Sequence, residues 1–97
     1  MAMVYSEKYL EQTFCKEVKK RGGLALKFIS PNLVGVPDRI ILMKNGRIAF
    51  AELKAPGKKL RQLQIKRKSQ LESLGFKVYC IDSKEQIGVM LDAIEKR

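Results

Sequence analysis

Apolar residues Leu10, Phe14 and Val18 recur at helical spacing, in a segment that Ser6 can cap and Gly22-Gly23 can stop. This pattern predicts a helix reaching about Arg21 with one buried face. Leu24 to Ser30 reads as a strand ended by Pro31. A loop follows, Pro31-Asn32-Leu33-Val34-Gly35-Val36-Pro37, whose two prolines and glycine restrict the backbone and whose apolar residues are available to a partner or substrate. The runs Ile40-Ile41-Leu42-Met43 and Ile48-Ala49-Phe50-Ala51 flank the turn signal Lys44-Asn45-Gly46-Arg47 and predict a β-hairpin. Pro56-Gly57 breaks the second strand. A helix is expected from about Leu60 to Leu74, stopped by Gly75, with Leu60, Leu63, Leu71 and Leu74 as its inward stripe. Phe76 to Asp82 reads as the next strand. Ser83 and Gln86 then form a capping box for a last helix, whose Ile87, Met90, Leu91 and Ile94 stripe packs on the sheet.

The expected order is helix, three strands, helix, strand, helix, within one α/β domain spanning 1–97. Strand, helix and strand within this length suit a parallel crossover onto the strand that ends at Glu52. The sheet is therefore mixed, and its strands are apolar on both faces, which calls for helices on both sides.

The hairpin register decides which side chains meet. A two-residue Asn45-Gly46 loop would pair Asp38 with Leu53 and turn Glu52 to the opposite face. A three-residue loop, a type I turn with Gly46 in the left-handed bulge position, pairs Asp38 with Glu52, about 5 Å apart on one face. The three-residue form is expected. Ile40, Leu42, Ile48 and Phe50 then share the face of the acidic pair, against which the first helix is expected to lie. Ile41, Ala49, Ala51 and Leu53 line the other.

Charge changes the picture next. Twenty Lys and Arg stand against ten Asp and Glu, a net charge of +10 that points to a polyanionic partner. From Lys58 to Lys68 the basic residues Lys58, Lys59, Arg61, Lys66, Arg67 and Lys68 run without an intervening acid and begin four residues after Lys54. Such a run on a helix can be a solvated face; here phosphate contact is the favoured reading. No apolar run approaches a membrane span and the N-terminus lacks a signal peptide's apolar centre, so a cytoplasmic protein is expected. There is no histidine, and Cys15 and Cys80 lack metal-site spacing. That argues against a zinc site and excludes a histidine base, leaving carboxylates, lysine and metal for any hydrolysis.

Asp38 and Glu52, with Lys54 two residues further along the same face, offer hard oxygen ligands beside an ammonium. That set suits Mg²⁺ or Mn²⁺ and the water it activates. The competing structural reading of Glu52 and Lys54 is an ion pair at a strand end. Glu11 sits on or beside the first helix's apolar stripe, where a carboxylate needs compensation or a route to water or a lysine.

Taken together, Glu11, Gly35-Val36-Pro37-Asp38, Glu52-Leu53-Lys54 and Gln64 resemble the VRR-NUC family of virus-type replication-repair nucleases. This family belongs to the PD-(D/E)XK superfamily, with a restriction-endonuclease-like core. The resemblance covers nearly the whole chain and implies a stand-alone, phage-type member working in the cytoplasm of a host bacterium. It implies metal-binding acids at Asp38 and Glu52, with the Leu53 backbone carbonyl completing the coordination and Glu11 acting through water. It also implies a catalytic lysine at Lys54 and a glutamine at Gln64 that orients substrate or the attacking water. Stand-alone members are similar to Holliday-junction resolvases. By that likeness the chain is expected to be a homodimer that cuts branched DNA, a four-way junction or a flap, with magnesium or manganese. Two other functions compete: a non-catalytic module that binds DNA or a repair complex, and a basic adaptor for acidic proteins. The first does not explain why Asp38, Glu52 and Lys54 should share a face, and competition by unrelated DNA would count against the second.

Overall fold

The computed structural model describes residues 6–96 of the 97-residue chain. Its elements are α1 (Glu7–Lys20), β1 (Leu24–Lys27), β2 (Arg39–Met43), β3 (Arg47–Leu53), α2 (Gln62–Ser73), β4 (Val78–Ile81) and α3 (Glu85–Glu95). The order is the expected one. Ser6 caps α1 by accepting a hydrogen bond from the Tyr9 amide at 3.1 Å. At the start of α3 the Gln86 side chain reaches back to the amides of Asp82 and Ser83, at 2.7 and 3.1 Å. Both outer strands are shorter than their sequence patterns, because only the stretches facing a neighbour's ladder pair.

The strands form one sheet in the order β1-β2-β3-β4, antiparallel except for the parallel β3–β4 pair. In the hairpin Met43 pairs with Arg47, so three residues form the loop as the acidic-pair argument requires. The backbone differs from the expected type I turn: Asn45 (φ 65°) as well as Gly46 (φ 70°) is left-handed. Asparagine tolerates that region, so the loop needs no second glycine.

The side of the sheet that α1 covers also differs from expectation. Leu10, Phe14 and Val18 are fully buried against Ile41, Met43, Ala49, Ala51 and Leu53, the face opposite the acidic pair. Alanines at 49 and 51 leave room there for close approach, and Ile87, Met90, Leu91 and Ile94 of α3 complete the same core. The expectation for α2 needs correction as well. It starts two residues later than predicted and buries none of its residues: Leu63 is 38% and Leu74 69% exposed. α2 adds nothing to the main core. It packs instead on β4 and on the loop before Asp38.

The face carrying the acidic pair is consequently uneven. Phe50 and Val78 are buried; the Phe28 ring meets Phe50 tilted and the Phe76 ring meets it edge-on, with centroids 5.7 and 5.6 Å apart. Towards β1 the same face is open: Leu24, Leu26 and Ile48 are all exposed.

Candidate active site

Asp38 lies where the constrained loop enters β2. Gly35 has φ +85°, and a Cβ there would fall 2.8 Å from Leu63 Cγ and 2.9 Å from the Leu63 carbonyl oxygen. The loop and α2 touch backbone to backbone, which only glycine permits. Arg67 Nε strengthens this contact by donating to the Val34 carbonyl at 2.7 Å. Pro37 is buried, and the Asp38 carbonyl accepts from the Phe28 amide at 2.8 Å, continuing the β1–β2 ladder by one residue. The Asp38 side chain is fixed too: Oδ2 accepts from the Leu53 amide at 2.9 Å.

The last β2–β3 pair is Arg39 with Ala51, so one step further Asp38 stands opposite Glu52. Glu52 is 2% exposed, and neither of its oxygens has a hydrogen-bond partner among the described residues. Burial pushes its carboxyl up to about 8, and the facing Asp38 carboxyl reinforces the shift. Lys54 opposes it and Glu7 adds to it. The two carboxyls face one another with Glu52 holding a proton, an arrangement that a cation can relieve.

The donors present fit a hard divalent ion. Glu52 has two orphaned buried oxygens beside Asp38, and no histidine exists in the chain. Among the described residues no group of three or more His, Cys, Asp or Glu side chains is gathered, so water, backbone and substrate would complete the shell. Mg²⁺ characteristically binds through one or two carboxylates in this manner.

Lys54 is half-buried, and its amide donates to the Ile81 carbonyl at 2.9 Å. It borders a cleft of about 230 Å³ with Lys58, Lys59, Cys80 and Asp82. Of the six basic residues singled out, Lys58, Lys59, Arg61 and Lys66 are exposed. The other two make contacts within the chain: Arg67 with Val34, and Lys68 with Glu72 at 3.2 Å.

Two further residues of the expected constellation sit in structural roles. Glu11 Oε1 accepts from Arg39 Nη2 at 2.6 Å, and Arg39 Nη1 also donates to the Ala25 carbonyl. Glu11 compensates an arginine here, and it is not gathered with Asp38 and Glu52 into one group of side-chain ligands. Gln64 Oε1 accepts from the Arg61 amide at 2.9 Å and so caps α2. Sequence reasoning missed two neighbours of the site. Glu7 reaches the strand end from α1, at 3.2 Å from the Ala55 amide. Cys80 stands beside Glu52 in the parallel ladder. Glu7 reads simply as an acid favoured in a helix's first turn, and Cys80 could have been found by counting back along the predicted last strand.

A mixed sheet flanked by helices, with an acidic pair at the end of two adjacent strands and a lysine two residues beyond, defines the restriction-endonuclease-like class of α/β fold. Comparison with known proteins narrows this. No family model matches the chain. A solved VRR_NUC domain superposes with a TM-score of 0.84 at 20% identity, covering 91% of this chain and 97% of that one. "Putative nuclease p44" of Acyrthosiphon pisum secondary endosymbiont phage 1 is 40% identical over 84 residues, 87% of this chain and 90% of that protein. The chain belongs to the VRR-NUC family.

Proposed function

We propose that this protein is a metal-dependent, structure-specific DNA endonuclease that hydrolyses phosphodiester bonds in branched DNA. The observation that carries the reading is Glu52, buried with both oxygens unsatisfied, facing Asp38 two residues before Lys54. The name of the phage relative agrees with a nuclease. Asp38 and Glu52 would hold Mg²⁺ or Mn²⁺, with the Leu53 carbonyl as a further ligand and Glu11 acting through water. A bound divalent ion supplies Lewis-acid polarisation of the phosphate and a water of lowered pKa. The remaining work belongs to the chain. Glu52 gives up its proton to become a ligand. Lys54 neutralises charge that develops on the phosphoryl oxygens. Gln64 orients substrate or the attacking water through the part of its amide not engaged in capping. Lys58, Lys59, Arg61 and Lys66, with Arg67 and Lys68, take the DNA backbone along the start of α2.

The active unit we propose is a homodimer, working in the cytoplasm of a bacterial host. Two chains of net charge +10 repel, which favours contact through an uncharged surface. The bare half of the sheet offers one, with Leu24, Leu26, Ile40, Leu42 and Ile48 and no charged side chain at their ladder positions.

The test is incubation of the protein with a four-way junction, a flap and plain duplex in Mg²⁺, Mn²⁺ or EDTA, beside Glu52→Ala. Symmetric nicking of the junction, lost in EDTA and in the variant, is the expected result. Unchanged cleavage by the variant overturns the site. The non-catalytic DNA-binding reading has one observation in its favour, that Glu11 and Gln64 both make structural contacts. Binding of every substrate with no scission in either metal would establish it.

A further inference from the structure

We infer that Glu7 is the positioning residue for Lys54, an assignment that rests on the nuclease reading above. The β3 ladder ends at Leu53, one residue before the lysine. What holds Lys54 in line is therefore a matter of two hydrogen bonds. Its own amide donates to Ile81 of β4 at 2.9 Å. The next amide, Ala55, donates to the Glu7 carboxylate on α1 at 3.2 Å. Beyond Ala55 the chain turns away: Pro56 has no N–H, Gly57 is left-handed at φ +83°, and Lys58 donates back to the Ala55 carbonyl at 3.0 Å. Ala55 is thus the last amide that can fix the segment before the turn, and Glu7 takes it from 48 residues away.

The clamp is mounted on a rigid element. Leu10, Phe14 and Val18 anchor α1 in the core, and Ser6 caps its first turn, where the helix dipole favours a carboxylate. Glu11, one turn further along the same side of α1, cannot take this role while it compensates Arg39, whose side chain is only 14% exposed. The first-helix glutamate that reaches the Lys54 segment is Glu7. Lys54 stands between Ala55 and Leu53, whose amide is held by Asp38, so a shift at Ala55 moves the ammonium relative to the carboxyls. Misplacement of a reacting group by about 1 Å can cost on the order of a hundredfold in rate.

Two variants separate the hydrogen bond from the charge. Glu7→Ala removes both, whereas Glu7→Gln keeps an oxygen that can accept from Ala55. Amide exchange at Ala55, followed by NMR on the metal-free protein, is expected to accelerate in Glu7→Ala and to stay at the wild-type rate in Glu7→Gln. On a four-way junction, kcat is expected to fall about tenfold or more in Glu7→Ala with KM unchanged, and to return in Glu7→Gln. Melting of Glu7→Ala should fall by no more than a few degrees, because Glu7 is exposed and its helix-end charge is worth about 0.3–1 kcal/mol. Wild-type exchange at Ala55 in Glu7→Ala, or equal loss of kcat in both variants, overturns the assignment. If wild-type protein cuts no DNA, the nuclease reading fails instead, and exchange still decides whether Glu7 holds the segment.

Discussion

Replacing Glu52 by glutamine should make the metal-free protein more stable at neutral pH while abolishing cleavage. The Glu52 carboxyl titrates at about 8 in the folded chain against 4.5 for the ordinary group, chiefly through burial and then through Asp38. A pKa raised on folding means that the native state binds the proton more tightly. The stability this provides is complete below pH 4.5 and is lost progressively as pH rises through 8. At pH 7 the folded state has forfeited on the order of 3 kcal/mol relative to its acid form. Glutamine keeps the shape, never ionises, and can donate its amide hydrogens to Asp38. The variant should therefore show little of this pH slope. At pH 7 its melting temperature should exceed that of wild type by roughly 12–24 °C, taking 4–8 °C per kcal/mol for a domain of this size. Near pH 4.5 the two proteins should melt together. The assay is thermal unfolding by circular dichroism in EDTA at half-unit pH steps, with junction cleavage measured alongside. Parallel pH profiles for the two proteins would falsify the claim that Glu52 is held protonated by burial.

Gly35→Ala should destabilise the protein by roughly 2–4 kcal/mol, combining left-handed strain with overlap against Leu63, while Gly46→Ala should cost only about 1–2 kcal/mol. Gly46 has similar φ but open space around it, so the difference in melting temperature reads the loop–α2 contact alone; equal losses would show that contact to be slack. Changing Lys58 and Lys59 to glutamine should reduce the salt dependence of DNA affinity, lowering the magnitude of the log–log slope by about 1.8, uniformly across sequences. An unchanged slope in fluorescence anisotropy would remove these lysines from the interface. Leu26→Lys should hold the protein as a monomer in sedimentation velocity, whereas wild-type association should strengthen with added salt as the net charge is screened. A wild type that is monomeric at every salt concentration counts against the bare sheet face as an interface.

Much of this was legible in the chain because the informative signals were local. Asn45-Gly46 between two apolar runs fixed the hairpin, and the demand that Asp38 meet Glu52 selected the three-residue loop that the structure adopts. Periodicity could not say which face α1 covers, since both faces of β2 and β3 are apolar. That choice turned on side-chain size, with Ala49 and Ala51 admitting helices where Ile48 and Phe50 leave less room. Nor could it show that no leucine of α2 is fully buried, because a stripe at helical spacing looks the same whether or not a surface receives it. The partners of Glu11 and Gln64 were out of reach for a different reason. Arg39 and Glu11 are 28 residues apart, and the ion pair exists only once α1 has been set on the face where Arg39 points.

The placement of the helices also explains why the site is where it is. A domain of this size has only about 5–15 kcal/mol of stability in total, so a buried, unsatisfied carboxyl is a large liability. The chain confines it to one position. One face of the sheet is filled by α1 and α3 and bears the stability, with every β2 and β3 residue on that side apolar except Arg39 and Arg47. The opposite face is left thinly covered, and Asp38 and Glu52 stand at its end, where α2 closes over the loop without burying a residue of its own. Protonation keeps Glu52 tolerable there while no cation is bound. Because ligation requires the ionised form, binding of a divalent ion at pH 7 should release close to one proton from Glu52, measurable by calorimetry in buffers of different ionisation enthalpy. Ion binding with no proton release would mean that Glu52 is already ionised, and that the strain attributed to it is borne elsewhere.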